Sequence, residues 1–354
     1  MRKYLLVLIP FLAISSFPTG SLAADKPNIV YVLADDLGYG DLGCYNKHSK
    51  IPTPNLDRLA REGMRFTDAH APSSVCSPTR YALLTGRYAW RSRLQRGVLL
   101  QYDPPLIAAD RLTVPSLLKQ HGYATACVGK WHLGWDWPKP GPGGKRDFTQ
   151  AVRNGPTTRG FDSYFGTDIP NFPPYCFVEN DHTIGLPTEP ITLGKDGFNR
   201  PGVKLPGWKL IDILPALEKR AVSVIEAAAK KDQPFFLYLP LTSPHYPIVP
   251  TADFQGKSGA GAYGDFVMQT DAVVGQVLDA LDRTGAAKNT LVIFTSDNGP
   301  EVTNEVKPGV YDRLKQYGHA SIGELRGAKR DTWEGGERGP AIARGLGKIL
   351  AAGV

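Results

Sequence analysis

An α/β sandwich, in which helices cover both faces of a large and mainly parallel sheet, is the fold this sequence predicts. Two apolar, β-branched runs, Asn28 to Leu33 and Thr290 to Thr295, read as buried strands. Between them strand-like and helix-like segments alternate, the pattern of a parallel sheet built from crossovers. A chain of 354 residues with 42% hydrophobic and 21% charged side chains has the apolar content for one large domain or two smaller ones. Disorder throughout is excluded, and the 38 Gly and 30 Pro, which follow no triplet period, mark turns.

Taken from the start, Arg2 and Lys3 precede the apolar run Tyr4 to Phe17, and Ser21-Leu22-Ala23 offers a small-residue cleavage site. Residues 1–23 therefore read as a signal peptide, which predicts a secreted or periplasmic product. Pro10, Ser15, Ser16 and Pro18 break the stretch short of the roughly 20 apolar residues of a spanning helix, so no stable membrane anchor is expected. Cleavage leaves 39 basic and 34 acidic residues, a balance of +5 that suits an anionic substrate. The charge is diffuse, with no Lys/Arg run, and gives no footprint for nucleic acid.

Thr53-Pro54-Asn55 opens an amphipathic helix through Glu62, and Thr113-Val114-Pro115 opens another through His121. Tyr123 to Val128 and Pro234 to Leu241 read as further strands, Leu214 to Lys231 and Gly264 to Arg283 as longer helices. Trp135 to Pro206 has many Pro and Gly and no sustained period, which predicts long loops with short elements where substrate contacts collect. Cys44, Cys76, Cys127 and Cys176 lie far apart with no CxxC spacing, so a zinc site is not indicated, while a disulfide among Cys44, Cys127 and Cys176 stays open.

The first buried strand ends in Asp35-Asp36-Leu37-Gly38 and the last in Asp297-Asn298-Gly299. Ligands of open α/β sheets gather beyond the carboxyl ends of strands. Three carboxylates and an amide brought together there would repel unless a cation filled the cluster, and their hard oxygens favour Ca²⁺ or Mg²⁺ over zinc. The plainer reading is that these residues only terminate strands and cap turns. Cys76 falls just before a predicted helix whose first turn holds Pro78, facing the positive end of the dipole, where an anion belongs. From the residues alone it is either a thiol of depressed pKa or a small buried hydrophobe.

The run Cys76-Ser77-Pro78-Thr79-Arg80, followed by Leu83-Leu84-Thr85-Gly86, resembles the signature of the formylglycine-dependent (type I) sulfatases, of the alkaline phosphatase superfamily. It is accompanied, in the family's order, by Pro27-Asn28-Ile29-Val30, by Asp35 to Asp41, by Gly129-Lys130-Trp131-His132-Leu133-Gly134 and by Ser243-Pro244-His245. Asp297-Asn298-Gly299, Leu325-Arg326-Gly327, Lys329 and Glu334-Gly335-Gly336 complete the set, so the resemblance covers nearly all of the chain after residue 23. It implies an alkaline phosphatase-like sandwich in which Cys76 is oxidised to formylglycine by a maturation enzyme. It also implies that Asp35, Asp36, Asp297, Asn298 and an oxygen of the modified Cys76 coordinate calcium, with Mg²⁺ as the alternative. Arg80 would hold the hydrated aldehyde, His132 would contact it, and Lys130, Lys329 and His245 would bind the sulfate oxygens and steady the leaving group.

The implied chemistry explains the aldehyde. Its hydrate has two hydroxyls: one attacks sulfur as the substrate alcohol departs, and the second lets His132, as a base, collapse the adduct and expel sulfate. A serine would stop at a stable ester. His245 and Lys329 are the candidates for the proton that the alcohol takes. The expected substrate is a sulfated carbohydrate or an aryl sulfate. A phosphate or phosphonate monoester hydrolase of the same superfamily, or an inactive glycan-binding relative, are the alternatives. Residues 24–354 read as the catalytic domain without the family's smaller C-terminal portion, an absence expected to leave an apolar flank exposed. Glu337 stands where relatives usually carry an aliphatic residue, and Gly345-Leu346-Gly347 replaces a Trp-Pro-like turn. Trp131, Trp135 and Trp137 are read as core, and His48, His70, His121, His182 and His319 receive no role.

Overall fold

The computed structural model describes residues 26–195, 197–302, 308–345, 349 and 353. The expected signal peptide, residues 1–23, lies outside them, as does Leu346-Gly347. In chain order the elements are β1 (Asn28–Ala34), α1 (Pro54–Glu62), β2 (Met64–Phe66), α2 (Cys76–Thr85), α3 (Val114–Gln120), β3 (Ala124–Lys130) and β4 (Ser163–Thr167). Four short strands follow, β5 (Val178–Glu179), β6 (His182–Thr183), β7 (Glu189–Pro190) and β8 (Val203–Lys204). The rest are α4 (Ile213–Ala228), β9 (Phe235–Pro240), α5 (Gly261–Arg283), β10 (Thr290–Ser296), α6 (Val310–Tyr317), α7 (Glu334–Glu337) and β11 (Ala341–Gly345).

The main sheet runs β2-β11-β10-β1-β9-β3-β4-β5-β6. Its centre, β10 to β4, is parallel, and the pairs at both edges are antiparallel. It is thus a mixed sheet with a parallel core, the α/β sandwich expected. Period-2 alternation divides β1 between the faces: Val30, Val32 and Ala34 join one core with α1, α4 and α5, while Leu33 joins a second, aromatic core with Tyr81 and Leu84 of α2. Trp131, Trp135 and Trp137 are buried in that second core, as read from the sequence. All four cysteines are free thiols, so the disulfide left open among Cys44, Cys127 and Cys176 is not formed.

Register brings the functional ends together. Asn28 to Ala34 pair in step with Thr290 to Ser296, so Asp35 and Asp297 emerge side by side, and the Asp297 amide donates to the Ala34 carbonyl at 3.0 Å. Gly129 lets β3 approach β9, because a Cβ there would stand 1.9 Å from the Pro240 carbonyl oxygen.

Helix α1 borrows its N-cap from another element. Thr53 makes no side-chain cap bond; instead Asp271 of α5 accepts from the Asn55 and Leu56 amides at 3.2 and 2.8 Å and from Asn55 Nδ2 at 2.8 Å. Asp271→Ala strands these donors and is expected to cost about 1–3 kcal/mol, read as a lower urea unfolding midpoint.

Candidate active site

The carboxyl ends of β1, β3, β9 and β10 meet the N-terminus of α2 at one buried cluster. Cys76 is the first residue of α2 rather than the residue before it, a shift of one position from the sequence expectation. Val75 ahead of it has no polar side chain to cap the first-turn amides, so that end of the helix keeps its positive character toward the cluster. Four residues on, Arg80 lies on the same helix face. It donates through Nε and Nη2 to Asp297 Oδ2 at 3.1 and 2.8 Å, lies 3.5 Å from Asp35 Oδ2, and donates through Nη1 to the Lys130 carbonyl at 3.2 Å.

Each carboxylate has its own cation. Lys130, at the end of β3, donates to Asp35 Oδ2 at 2.6 Å. Lys329 donates to both Asp36 oxygens at 2.7 and 2.8 Å and lies 3.7 Å from Glu301 Oε2. Asn298 Nδ2 donates to Asp36 Oδ1 at 2.7 Å. Cys76 Sγ points at Asp35 Oδ1, 3.6 Å away, and His245 Nε2 stands 3.7 Å from Asp36 Oδ2. Asp35, Asp36, Cys76 and His245 present ligand atoms all within 4.8 Å of one another. The structure thus brings together all ten residues singled out from the sequence except His132, which approaches from beside Lys130 through its own contacts.

The buried charges of Asp35, Asp36 and Asp297 are matched one for one by Arg80, Lys130 and Lys329. Burial works to raise Asp36, but the charge of Lys329, with His245 and Lys130 behind it, outweighs this and holds the carboxyl well below its usual range. Asp297 moves the other way, to about 6, because burial and the charge of Asp35 prevail over Arg80. Burial pushes the Cys76 thiol up to about 12 against the pull of Lys130 and Lys329. The depressed-thiolate reading is thereby overturned: in a desolvated pocket beside carboxylates an ionised sulfur is disfavoured despite the helix end.

Both histidines are neutral. Burial pushes His245 down to about 3, against Asp36 and with Lys130 and Lys329 acting in the same direction, and it lowers His132 well below the usual range, with Lys130 adding to it. The His132 Nε2 atom lies 2.9 Å from the Leu99 carbonyl, which only accepts, so Nε2 carries the proton. Its Nδ1 is left as a bare lone pair, buried and without a partner. Asp36, His132 and Arg330 hold positive φ of 66°, 52° and 76°, strain of the kind that gathers at functional sites.

The residues present fit a hard divalent cation. Asn298 Oδ1 is a buried oxygen with no hydrogen-bond partner, beside Asp36 and Asp297, and the donor set is carboxylate and amide oxygen. Above it a pocket of about 530 Å³ opens, lined by Cys76, His245 and Lys329 and also by Asn171, Glu301 and Arg330. Sequence reasoning passed over these last three, which sit in no motif.

It passed over a buried network as well. Asp41 gathers the Gly38 amide at 2.7 Å, the Tyr263 hydroxyl at 2.6 Å and His319 Nε2 at 2.8 Å. His319 Nδ1 accepts from the Lys50 amide at 3.2 Å, which fixes the tautomer that donates to Asp41. The Tyr263 hydroxyl also lies 3.1 Å from the Asp36 carbonyl. Asp41 thus pins the turn in which Asp36 is held left-handed. Only the Asp41 end of this network fell in a recognised motif.

A sulfatase family model matches residues 27–352. An N-acetylgalactosamine-6-O-sulfatase of Bacteroides thetaiotaomicron is 37% identical over 362 residues, covering 92% of this chain and 69% of that protein. Human arylsulfatase A is 38% identical over 344 residues, covering 93% of this chain and 61% of that protein. A solved structure from work on the metabolism of multiple glycosaminoglycans by B. thetaiotaomicron superposes with a TM-score of 0.79 at 35% identity, over 91% of this chain and 72% of its own. The chain therefore spans 61 to 72% of the lengths of these proteins. With the match running from the start of β1 past the end of β11, this chain belongs to the formylglycine-dependent sulfatase family.

Proposed function

We propose that this chain is a secreted or periplasmic sulfuric ester hydrolase that releases inorganic sulfate from a sulfated carbohydrate. In this reading Cys76 works as formylglycine, installed by a maturation enzyme, and Asp35, Asp36, Asp297 and Asn298 hold Ca²⁺. The observation that carries it is the buried Cys76 thiol, pushed up to about 12, set among three carboxylates and the partnerless Asn298 oxygen. Such a thiol is inert at neutral pH, whereas an aldehyde hydrate needs only a base to work. The cation, when bound, supplies Lewis-acid polarisation of the oxygens it contacts.

The chain's own residues have separable tasks. Arg80 orients the hydrate from the same helix face. Lys130 and Lys329 sit where two sulfate oxygens would exchange for Asp35 and Asp36 as partners. With three carboxylates balanced by three cations, an added dication leaves the site positive, as a sulfate monoester requires. His132 Nδ1, buried and accepting, takes the proton that lets sulfate leave, and His245 and Lys329 steady charge on the departing oxygen.

The likeness to an N-acetylgalactosamine-6-O-sulfatase supports a sulfated amino sugar as the reacting unit. Sulfate release from a panel of sulfated mono- and oligosaccharides tests this, with the sulfate and phosphate esters of one phenol as comparators. Faster release from a sulfated sugar is expected; preference for the phosphate ester would overturn the reading. Tyr263→Phe, which removes only the hydroxyl linking Asp41 to the Asp36 turn, is expected to weaken Ca²⁺ binding about tenfold by isothermal titration calorimetry.

A further inference from the structure

Between Arg80 and Asp103 the chain carries no acidic residue, but it carries Arg87, Arg91, Arg93 and Arg96. None of these four arginines takes part in an ion pair among the described residues; Arg87 and Arg93 donate instead to the carbonyls of Arg91 and Pro104. Arg58, Arg80, Arg220, Arg283, Arg330, Arg338 and Arg344 meet carboxylates, and although others such as Arg61 and Arg111 do not among the described residues, what sets this segment apart is four such guanidinium groups within ten residues. Uncompensated guanidinium groups this dense repel one another and are suited to a partner that brings the negative charge. Among them Tyr88 and Trp90 are 52% and 55% exposed and stack at 6.1 Å with planes 16° apart, and Arg91 lies over the Trp90 ring at 5.0 Å. Two large aromatic side chains held parallel and half in water cost apolar exposure that the core does not recover.

The strip ends at the reaction site. The segment leaves α2, which carries Cys76, and returns so that Gly97, Val98 and Leu100 line the pocket above it. Leu99 between them is tied into the machinery, its amide donating to Ser77 Oγ at 3.1 Å and its carbonyl accepting from His132. Leu100, exposed at the pocket, lies four residues along the chain from Arg96, while at the other end of the segment Arg87 and Tyr88 line a separate cavity of about 480 Å³ with Tyr31 and Ile293.

We propose that residues 87–96 form an accessory surface for a sulfated glycan chain, so that the substrate is a polymer rather than a free sulfated sugar. Guanidinium groups take sulfate or carboxylate with forked hydrogen bonds, and exposed indole and phenol faces take the apolar faces of sugar rings. Aromatic faces among spaced cations match rings that carry anions at intervals, which a bare phosphate polymer lacks. The proposal rests on the sulfatase reading of the pocket and specifies its substrate.

The test compares the matured enzyme with the double variant Arg91→Ser/Arg96→Ser and with Trp90→Ala, all at exposed positions outside the machinery. On chondroitin sulfate chains each is expected to raise KM by about tenfold, while kcat/KM on 4-nitrophenyl sulfate stays within about twofold. The double variant should elute from immobilised chondroitin sulfate at lower salt, whereas Trp90→Ala should lose retention there but not on immobilised polyphosphate. An unchanged KM on the polymer, or an equal loss on both substrates, overturns the proposal. Trp90→Ala with unaltered chondroitin retention reduces the strip to a general anion exchanger and overturns it too. If the wild type cleaves neither substrate, the function reading fails, and the retention arms still decide whether the strip binds glycan.

Discussion

Cys76→Ala is expected to abolish sulfate release, lowering kcat by about 10⁴- to 10⁶-fold, as removal of a nucleophile does when the rest of a site is intact. The side chain is buried at the first position of α2 and makes one polar contact, to Asp35, so the variant should fold and still bind the cation. Cys76→Ser separates the two halves of the chemistry. A serine oxygen has no second hydroxyl from which to expel sulfate, so one equivalent of alcohol should appear and turnover should then stop. Single-turnover measurement of alcohol against sulfate reads the difference. Steady release of both products by the serine variant would contradict the need for an aldehyde.

Asp297→Asn carries the second large effect. Asp297 accepts from Arg80 and from the Asp36 amide and sits beside the partnerless Asn298 oxygen, so it ties nucleophile helix, metal turn and last strand together. The amide keeps the shape but removes a charge from the ligand set. The expected loss in kcat is about 10³-fold, since a Lewis-acid cation contributes several kcal/mol to the transition state. Wild-type protein at Ca²⁺ a hundredfold above its dissociation constant should gain about 2.7 kcal/mol over protein in EDTA, and the variant most of this should lose. Thermal unfolding with Ca²⁺ and with EDTA, read beside sulfate release, checks both.

Much of this site was legible in the sequence because its chemistry is written in contiguous blocks at strand ends. The apolar, β-branched runs of β1 and β10 read as buried strands, and their shared register then placed Asp35 beside Asp297. Long helices were equally readable, α5 within three residues of its start. What escaped is of four kinds. Strands β2 and β11, at one side of the sheet, have three and five residues, too few for a period to show. The Asp41, Tyr263 and His319 network draws single residues from distant segments, and no spacing connects them before the chain folds. The direction of the Cys76 ionisation turned on burial: helix dipole and nearby lysines lower a thiol, and only the packing shows that desolvation exceeds both. The spaced arginines 87–96 form no run, and they emerged as a surface only once none was seen to meet a carboxylate.

The central claim is that residue 76 acts as an aldehyde, and the most direct test is the mass of the peptide containing it, taken from natively matured protein that is releasing sulfate. The account predicts a peptide lighter by the exchange of H₂S for one oxygen, and shifted again after reaction with a hydrazine. An unmodified thiol at position 76 in a fully active preparation would contradict it.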